Sequence, residues 1–349
     1  MNWNFVPTYF AIKQDIKEKI AKGVLLPGEL LPGRKSMCDQ YQCSWSTLNR
    51  AVNELILEGV LTAEKGKGTY VSNRGSEPGE QERTLDTVNV WVCNPFPSVY
   101  ALMSEMIDGM RDEAHRRGVS VRILDLAEPA AIPSSLNDFI VVTPSNDQWA
   151  TLVEARNRGD RFVVLNSSWD AAPFPCIDAD IYGAATEATR ILLQRGHRAI
   201  GLVGIREGFS NYDRRVEGFR RAFEDAGVRM DPEWIVGRPE ERDVAKRIYE
   251  EWLDRHPECT ALFTADYATS MLLLELLQDK GIPVPDRLSL FATGTPQFAP
   301  YGNLSVSAVV QPFHEMGRLA ARRLLERELT PGAVLLPCRL NIGNSIKSL

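Results

Sequence analysis

Two groups of side chains in this 349-residue chain are of types and spacings that could do chemistry. The first is Arg34-Lys35, followed by Ser44-Trp45-Ser46-Thr47, Asn49-Arg50, Lys65 and Lys67. Hydroxyls and amides at helical spacing can meet base edges, cationic groups can meet phosphates, and an indole makes apolar contact with a base edge or sugar. The second group is spread over the rest of the chain: Phe96, Tyr100, Asn166, Trp169, Asp180, Arg215, Asp266 and Thr293. Aromatic rings stack on the apolar faces of a ligand while Asn, Asp and Arg hydrogen-bond its oxygens, a mixture suited to a small polyhydroxylated molecule.

Catalysis has little to stand on. The four histidines, His115, His197, His256 and His314, lie on separate segments with no HExxH or paired metal spacing. His256 and Cys259 could supply one H-x-x-C pair, but no second pair accompanies them. The chain has no GxSxG elbow and no phosphate loop, and the glycines of GLVGIREG lack the full GxGxxG spacing. Lysines beyond position 67 are only Lys246, Lys280 and Lys347. We therefore expect no metal, no cofactor and no enzyme.

The elements that position these residues follow from composition and periodicity. Forty Lys and Arg against forty-six Asp and Glu give a net charge of −6, which by itself argues against nucleic acid. The sum hides a split, because the first 75 residues hold ten basic and seven acidic side chains, a net +3, leaving −9 on the remainder. Between them lies SNRGSEPGEQERTLDT, polar and without apolar periodicity, which reads as a flexible linker. The expected organisation is a small domain at 1–72, a linker at 73–86 and a large domain at 87–349. Hydrophobic residues at 44% and charged residues at 25% are ordinary globular values. The six cysteines form no framework spacing, the start lacks the features of a secretory signal, and no apolar run approaches the roughly 20 residues of a membrane span. A cytoplasmic protein with reduced thiols is expected.

In the basic region, Tyr9, Ile12, Ile16 and Ile20 recur at helical spacing until Gly23. A second short helix runs from Arg34 to Tyr41, and Ser44 is a plausible N-cap for a third from Trp45 to about Glu58. Leu48, Val52, Leu55 and Ile56 give that third helix an apolar face and leave Trp45, Ser46, Asn49, Arg50 and Asn53 for another. LTAEKGKGTYV adds two strands around a turn whose lysines would project toward phosphates. These parts resemble the winged helix-turn-helix of the GntR family: GVLLPGELLPG from Gly23, CSWSTLNRAV from Cys43 and EGVLTAEKGKGTYV from Glu58 stand at the family's turn, recognition helix and wing. The resemblance implies binding to double-stranded DNA. This chain has Gly33-Arg34-Lys35 where the family usually has Ser-Glu-Arg, and Trp45 and Asn49 replace two recognition-helix arginines. Arginine suits guanine and asparagine suits adenine, so the operator should differ from the family's usual one.

From Val88 the strand candidates VNVWVC, VSVRIL, FIVVTP, RFVVLN, AIGLVG, TALFTA and LSLFAT alternate with helix candidates at Tyr100–Arg117, Ala184–Arg195, Arg214–Ala226, Val244–Arg255 and Tyr267–Lys280. Such alternation implies doubly wound parallel sheets, and this much chain implies two lobes with a cleft. The body resembles the effector domain of the LacI/GalR family, itself similar to periplasmic sugar-binding proteins. The carrying motifs are Asp180-x-x-Gly183, Arg195-Gly196-His197-Arg198 before Ile200, Arg215-x-x-Gly218-Phe219, Asp266 after TALFTA, and the stretch from Gln311 to Ala320. The fold expected is therefore α/β, a winged head plus a two-lobed periplasmic-binding-protein body. The family's G-F-D-D is Ala292-Thr293-Gly294-Thr295 here, so a carboxylate that often receives sugar hydroxyls is missing.

Ligands of doubly wound sheets bind at the carboxyl ends of the strands. That rule selects the eight residues named above, together with Thr143, Ser145 and the stretch from Phe209 to Arg215. The resemblance places Arg215 facing the cleft. For Asp180 and Asp266, helix capping or lobe packing competes with ligand contact; for Trp169 and Tyr100, core or loop packing does. The combined architecture is that of arabinose-repressor-type regulators and implies a homodimeric transcriptional repressor switched by a small carbohydrate-like ligand. The competing expectation, raised by the replaced arginines, is a cytoplasmic solute sensor whose head binds DNA weakly.

Overall fold

A computed structural model describes residues 8–57, 60–64, 67–72, 85–93, 97–124, 137–169, 171–294 and 304–349. It divides into two compact units, Met1–Thr84 and Leu85–Leu349. The linker expected at 73–86 falls mostly outside the described residues.

The head comprises α1 (Thr8–Ala21), α2 (Arg34–Tyr41), α3 (Trp45–Leu57) and the antiparallel pair β1 (Leu61–Glu64) and β2 (Gly68–Val71). Ile12 and Ile16 of α1, Met37 of α2, and Leu48, Val52 and Leu55 of α3 meet in one core that Leu61 and Val71 close from the wing side. Gln42, in the left-handed region at φ 47°, ends α2, and the Ser44 Oγ accepts from the Thr47 amide at 3.2 Å to start α3. That short turn makes α2 and α3 a helix-turn-helix. Tyr41 donates to the Asp15 carboxylate at 2.6 Å, tying α2 to α1.

The body opens with β3 (Thr87–Val92), α4 (Pro97–His115), β4 (Ser120–Ile123), β5 (Phe139–Val142), α5 (Trp149–Arg158), β6 (Phe162–Leu165) and β7 (Pro175–Ala179). The chain then crosses to a second lobe built of α6 (Ile181–Gln194), β8 (Ile200–Ile205), α7 (Ser210–Asp225), β9 (Ile235–Gly237), α8 (Arg242–Arg255), β10 (Ala261–Thr264), α9 (Tyr267–Asp279), β11 (Ser289–Thr293) and β12 (Ser307–Val310). It returns to the first lobe with α10 (Phe313–Leu325) and β13 (Gly332–Leu336), and crosses once more to β14 (Arg339–Asn341). The sheet orders are β13-β7-β6-β5-β3-β4 and β14-β12-β11-β10-β8-β9, parallel except for β14 against β12.

Helices cover both faces of each sheet, which is why the strands read as continuous apolar runs rather than alternations. In the first lobe α4 and α10 share one core with the sheet, and α5 covers the other face with an aromatic cluster of Trp149, Phe162, Trp169 and Phe174. In the second lobe α8 and α9 cover one face and α6 and α7 the other. α4 and α10 pack backbone to backbone: a Cβ on Gly317 would stand 2.0 Å from the Met106 carbonyl oxygen.

All seven expected strands are present, and of the five expected helices four start two to four residues earlier than expected while the fifth starts at Tyr267 as expected. Sequence periodicity did not mark β7, which begins at a proline and buries every residue including Asp178, nor β12, β13 and the short β9 and β14.

Candidate functional site

On the head, the side of α3 turned away from the core presents Trp45 at 57% exposure. Lys35 on α2 and Lys67 at the wing are exposed as well. Ser44 and Thr47 serve first as a helix start, their hydroxyls 2.8 Å apart. Arg34 is tied to its neighbours within the head. Its Nε donates to the Asn49 Oδ1 at 3.1 Å and its guanidinium to the Thr69 Oγ1 at 3.2 Å, joining α2, the third helix and β2. With Oδ1 so engaged, Asn49 keeps the two N–H donors of its amide for another acceptor. Ser46 and Arg50 are placed on α3 by their backbone alone, and Lys65 lies outside the described residues.

In the body a cavity opens at the carboxyl ends of the strands, between the lobes. It holds about 680 Å³ of space, part of it open to solvent. Of the eight expected ligand residues it gathers Asn166, Arg215, Asp266 and Thr293. Asn166 follows β6 at φ 60° and Thr143 follows β5 at φ 51°. Left-handed backbone at a β-branched residue costs free energy, and here it turns both side chains into the cleft, where the Asn166 Nδ2 donates to the Thr143 Oγ1 at 2.9 Å.

Arg215, on α7, is 4% exposed. Its guanidinium lies over the Tyr212 ring, 5.4 Å from the centroid. No hydrogen bond from it to another side chain or carbonyl is found among the described residues. Burial pulls its pKa down against the opposing pull of Tyr212, Asp266 and Asp178. The Oδ1 atoms of Asn166 and Asn211, both in the cavity wall, are buried without a protein partner. A guanidinium with five donors and two carbonyl acceptors left unsatisfied in one cavity is a polar arrangement waiting for a polar guest.

Asp266 lines the cavity but is already engaged. Its Oδ1 caps α9 through the Thr269 amide at 2.7 Å, and its Oδ2 accepts from Tyr212 at 2.7 Å and Arg238 at 3.1 Å. Thr293 forms wall rather than contact, because its hydroxyl donates to the Thr264 carbonyl at 2.6 Å. Asp180 and Trp169 do not line this cavity: Asp180 caps α6 through the Gly183 amide at 2.8 Å, and Trp169 packs edge-on against Trp149 at 4.8 Å. Both border a separate depression with Ser168 and Arg214. Tyr100 is placed on α4 by its backbone, and Phe96 lies outside the described residues.

Arg206, immediately after β8, and Gln311, immediately after β12, also line the cavity and are 9% and 8% exposed. The strand-end rule would have found both had it been applied to every strand. Across the mouth, the Ser167 and Ser210 hydroxyls meet at 2.8 Å and the Asn146 amide donates to the Gly208 carbonyl at 2.7 Å, joining the lobes beside the cavity. Behind the wall Asp178 accepts from Ser168 at 3.0 Å, and burial raises its pKa to about 6. His197 bridges Thr260 and the Lys347 carbonyl as a packing residue. Among the described residues no three His, Cys, Asp or Glu side chains gather as a metal site, and no helix is long and apolar enough to cross a membrane.

Residues 8–71 match the bacterial regulatory proteins of the gntR family, and residues 189–346 match the periplasmic binding protein-like domain. The chain thus has a head similar to the GntR family and a body similar to the periplasmic binding protein-like domain. The GntR match spans the whole helix-turn-helix and wing, whereas the body match covers the second lobe with α10 and the last two strands. An arabinose metabolism transcriptional repressor of Geobacillus stearothermophilus is 25% identical over 341 residues, covering 92% of this chain and 91% of that protein. The HTH-type transcriptional repressor CytR of Escherichia coli K12 is 24% identical over 282 residues, covering 77% and 81%. These relatives are regulators and not enzymes. In fold, the transcriptional regulator CelR–cellobiose complex superposes with a TM-score of 0.66 at 20% identity, covering 86% of this chain and 90% of that one. A LacI family regulator from Enterococcus faecium with bound ribose gives 0.61 at 22%, covering 75% and 99%.

Proposed function

We propose that the protein is a transcriptional repressor that binds a pseudo-palindromic operator as a homodimer and is switched by a small polyhydroxylated ligand in the body's cleft. One observation carries the reading: a single chain combines an exposed helix-turn-helix face with a cavity in which the buried Arg215 guanidinium stands with the Asn166 and Asn211 Oδ1 atoms, both without a protein partner. The names of the relatives support repression, and the cellobiose and ribose in the fold neighbours support a carbohydrate-like effector. Such a protein works in the cytoplasm, where the operator is.

The coupling has a physical route inside the body. Arg215 and Ser210 share α7, so a ligand held by Arg215 favours the lobe arrangement in which Ser210 meets Ser167. Ligand and operator are then reciprocally linked. Gel-shift titration of the full-length protein on its selected operator tests the reading. A sugar or sugar derivative that changes operator affinity by about tenfold supports it. Enrichment of no palindromic site from random DNA would overturn it in favour of a sensor with a weak, sequence-independent head.

A further inference from the structure

Four residues of the cavity wall stand three positions apart in the chain: Arg206, Phe209, Tyr212 and Arg215. The turn from β8 into α7 stacks them as a ladder. The Arg206 guanidinium lies over the Phe209 ring, 5.8 Å from its centroid; the Phe209 and Tyr212 rings meet edge to face at 6.2 Å; and the Arg215 guanidinium lies over the Tyr212 ring at 5.4 Å. The cations at the two ends are held differently. Arg206 is ion-paired with Glu240 at 3.5 Å in addition to its ring. Arg215 rests on its ring, with the carboxylates of Asp266 and Asp178 acting on it through space.

Tyr212 is fixed at its hydroxyl as well as at its ring. It donates to the Asp266 Oδ2 at 2.7 Å, the same oxygen accepts from Arg238 at 3.1 Å, and the Asp266 Oδ1 caps α9. The starts of α7 and α9 and the residue after β9 therefore meet at one carboxylate. Three of its roughly four acceptor sites are taken, so that carboxylate works mainly inside the wall. Burial and the neighbouring Asp266 push the Tyr212 phenol well above its ordinary pKa, which keeps it protonated and donating. A ring holds a cation through its charge and uses up none of the cation's N–H groups, whereas a carboxylate partner would occupy the guanidinium fork. An arginine seated on a ring is thus held in place with its donors left for a guest. We propose that Tyr212 is the positioning residue of the effector site: its ring, anchored on Asp266, holds the Arg215 guanidinium in the cleft with its donors available to ligand oxygens. This rests on the cleft being the effector site. It gives Asp266 a task that runs through Tyr212 and Arg215 rather than through ligand hydroxyls.

Two measurements on the full-length protein test it. The first needs no ligand. Tyr212→Leu removes the ring, and adding Arg215→Met to it should raise the melting temperature by about 2–4 °C more than Arg215→Met raises that of the wild type, because the cation has lost the ring that offsets its burial. On Tyr212→Phe, which keeps the ring, Arg215→Met should act as it does on the wild type. The second is calorimetric titration with ribose, arabinose and cellobiose. For a sugar that binds, Tyr212→Leu should weaken affinity by about thirtyfold and Tyr212→Phe by about threefold. Tyr212→Leu combined with Arg215→Met should bind no more weakly than Arg215→Met alone, since both changes act on one contact. Equal melting shifts on all three backgrounds would overturn the proposal. So would additive losses of affinity, which would make Tyr212 a ligand contact in its own right. If Tyr212→Leu folds only together with Arg215→Met, the coupling is demonstrated; if neither folds, Tyr212 is a core residue and the proposal falls. The positioning role is decided by the melting cycle even if none of the three sugars binds, a result that would count against the carbohydrate reading alone.

Discussion

The head and the body solve opposite recognition problems with the same residue types. On the head, Trp45 is 57% exposed and Lys35 and Lys67 stand in water. In the body, Arg215 is 4% exposed and Asn166 8%. DNA brings its own dense charge, so a cation facing it need only be nearby, and keeping it solvated costs the fold almost nothing. A small ligand has few atoms, so each must be gripped by a group whose desolvation the fold has already borne. The difference teaches that single losses should be severe and selective in the body but mild and general on the head.

Arg215→Met is the sharpest test of that contrast. Removing the guanidinium should weaken effector binding by on the order of a hundredfold, about 3 kcal/mol, while operator binding in the absence of ligand persists. Because a buried cation without hydrogen-bond partners burdens the empty body, its ligand-free melting temperature should hold or rise. Calorimetry with and without ligand measures both. A ligand-free destabilisation instead would make Arg215 a structural residue and erase the contrast.

A second test concerns two carboxylates. Burial raises Asp178 of the body from 3.8 to about 6. On the head, burial pushes Asp15 upward too, but hydrogen bonds from Lys19 and Tyr41 outweigh it and hold its pKa below the ordinary value. The signs of their pH dependence differ. Between roughly pH 4 and pH 6 folded Asp178 retains a proton that the unfolded chain has released, so its contribution to stability falls as pH rises. Asp15 contributes stability above its ordinary pKa and loses it as pH falls. Relative to Asp178→Asn, the wild-type body should therefore lose on the order of 2 kcal/mol between pH 4 and pH 7. Parallel unfolding curves for the two proteins across that range would refute the assignment.

The same contrast governs what the residues revealed before any coordinates. Helix spacing picked out the head's third helix and the side of it that carries the exposed Trp45, since its apolar side is explicit in Leu48, Val52 and Leu55. The body's parallel sheets were legible as apolar runs, and four of eight ligand residues reach the cleft. Of the other four, Phe96 lies outside the described residues and Tyr100 is placed only by its backbone, while two stand elsewhere for physical reasons. Asp180 and Trp169 stand close to strand ends in sequence, as ligand residues do, but capping of α6 and packing on Trp149 consume them. Arg206 and Gln311 are single polar residues closing apolar strands, and only the assembled sheet shows that both strand ends converge on one cavity. The bridge from Arg34 to Asn49 and Thr69 joins residues 15 and 35 positions apart, beyond any local periodicity.

That bridge makes the head's smaller predictions separable. Arg34→Ala leaves Asn49 free to turn its amide and Thr69 without its donor. Operator affinity should fall by about 1 kcal/mol, with relaxed base preference at one position in each half-site. Lys67→Ala should do less at any one salt concentration and nothing to base preference. Its mark is the salt dependence, because an ammonium that neutralises one phosphate releases about one counterion, so the slope of log K against log salt should flatten by roughly one per half-site. Fluorescence anisotropy on the operator and on scrambled DNA, over a salt series, distinguishes the two. An unchanged slope would mean that the wing lysine does not touch the backbone, and a changed base preference would mean that it reads sequence, in which case the head's exposed cations are as selective as the body's buried ones.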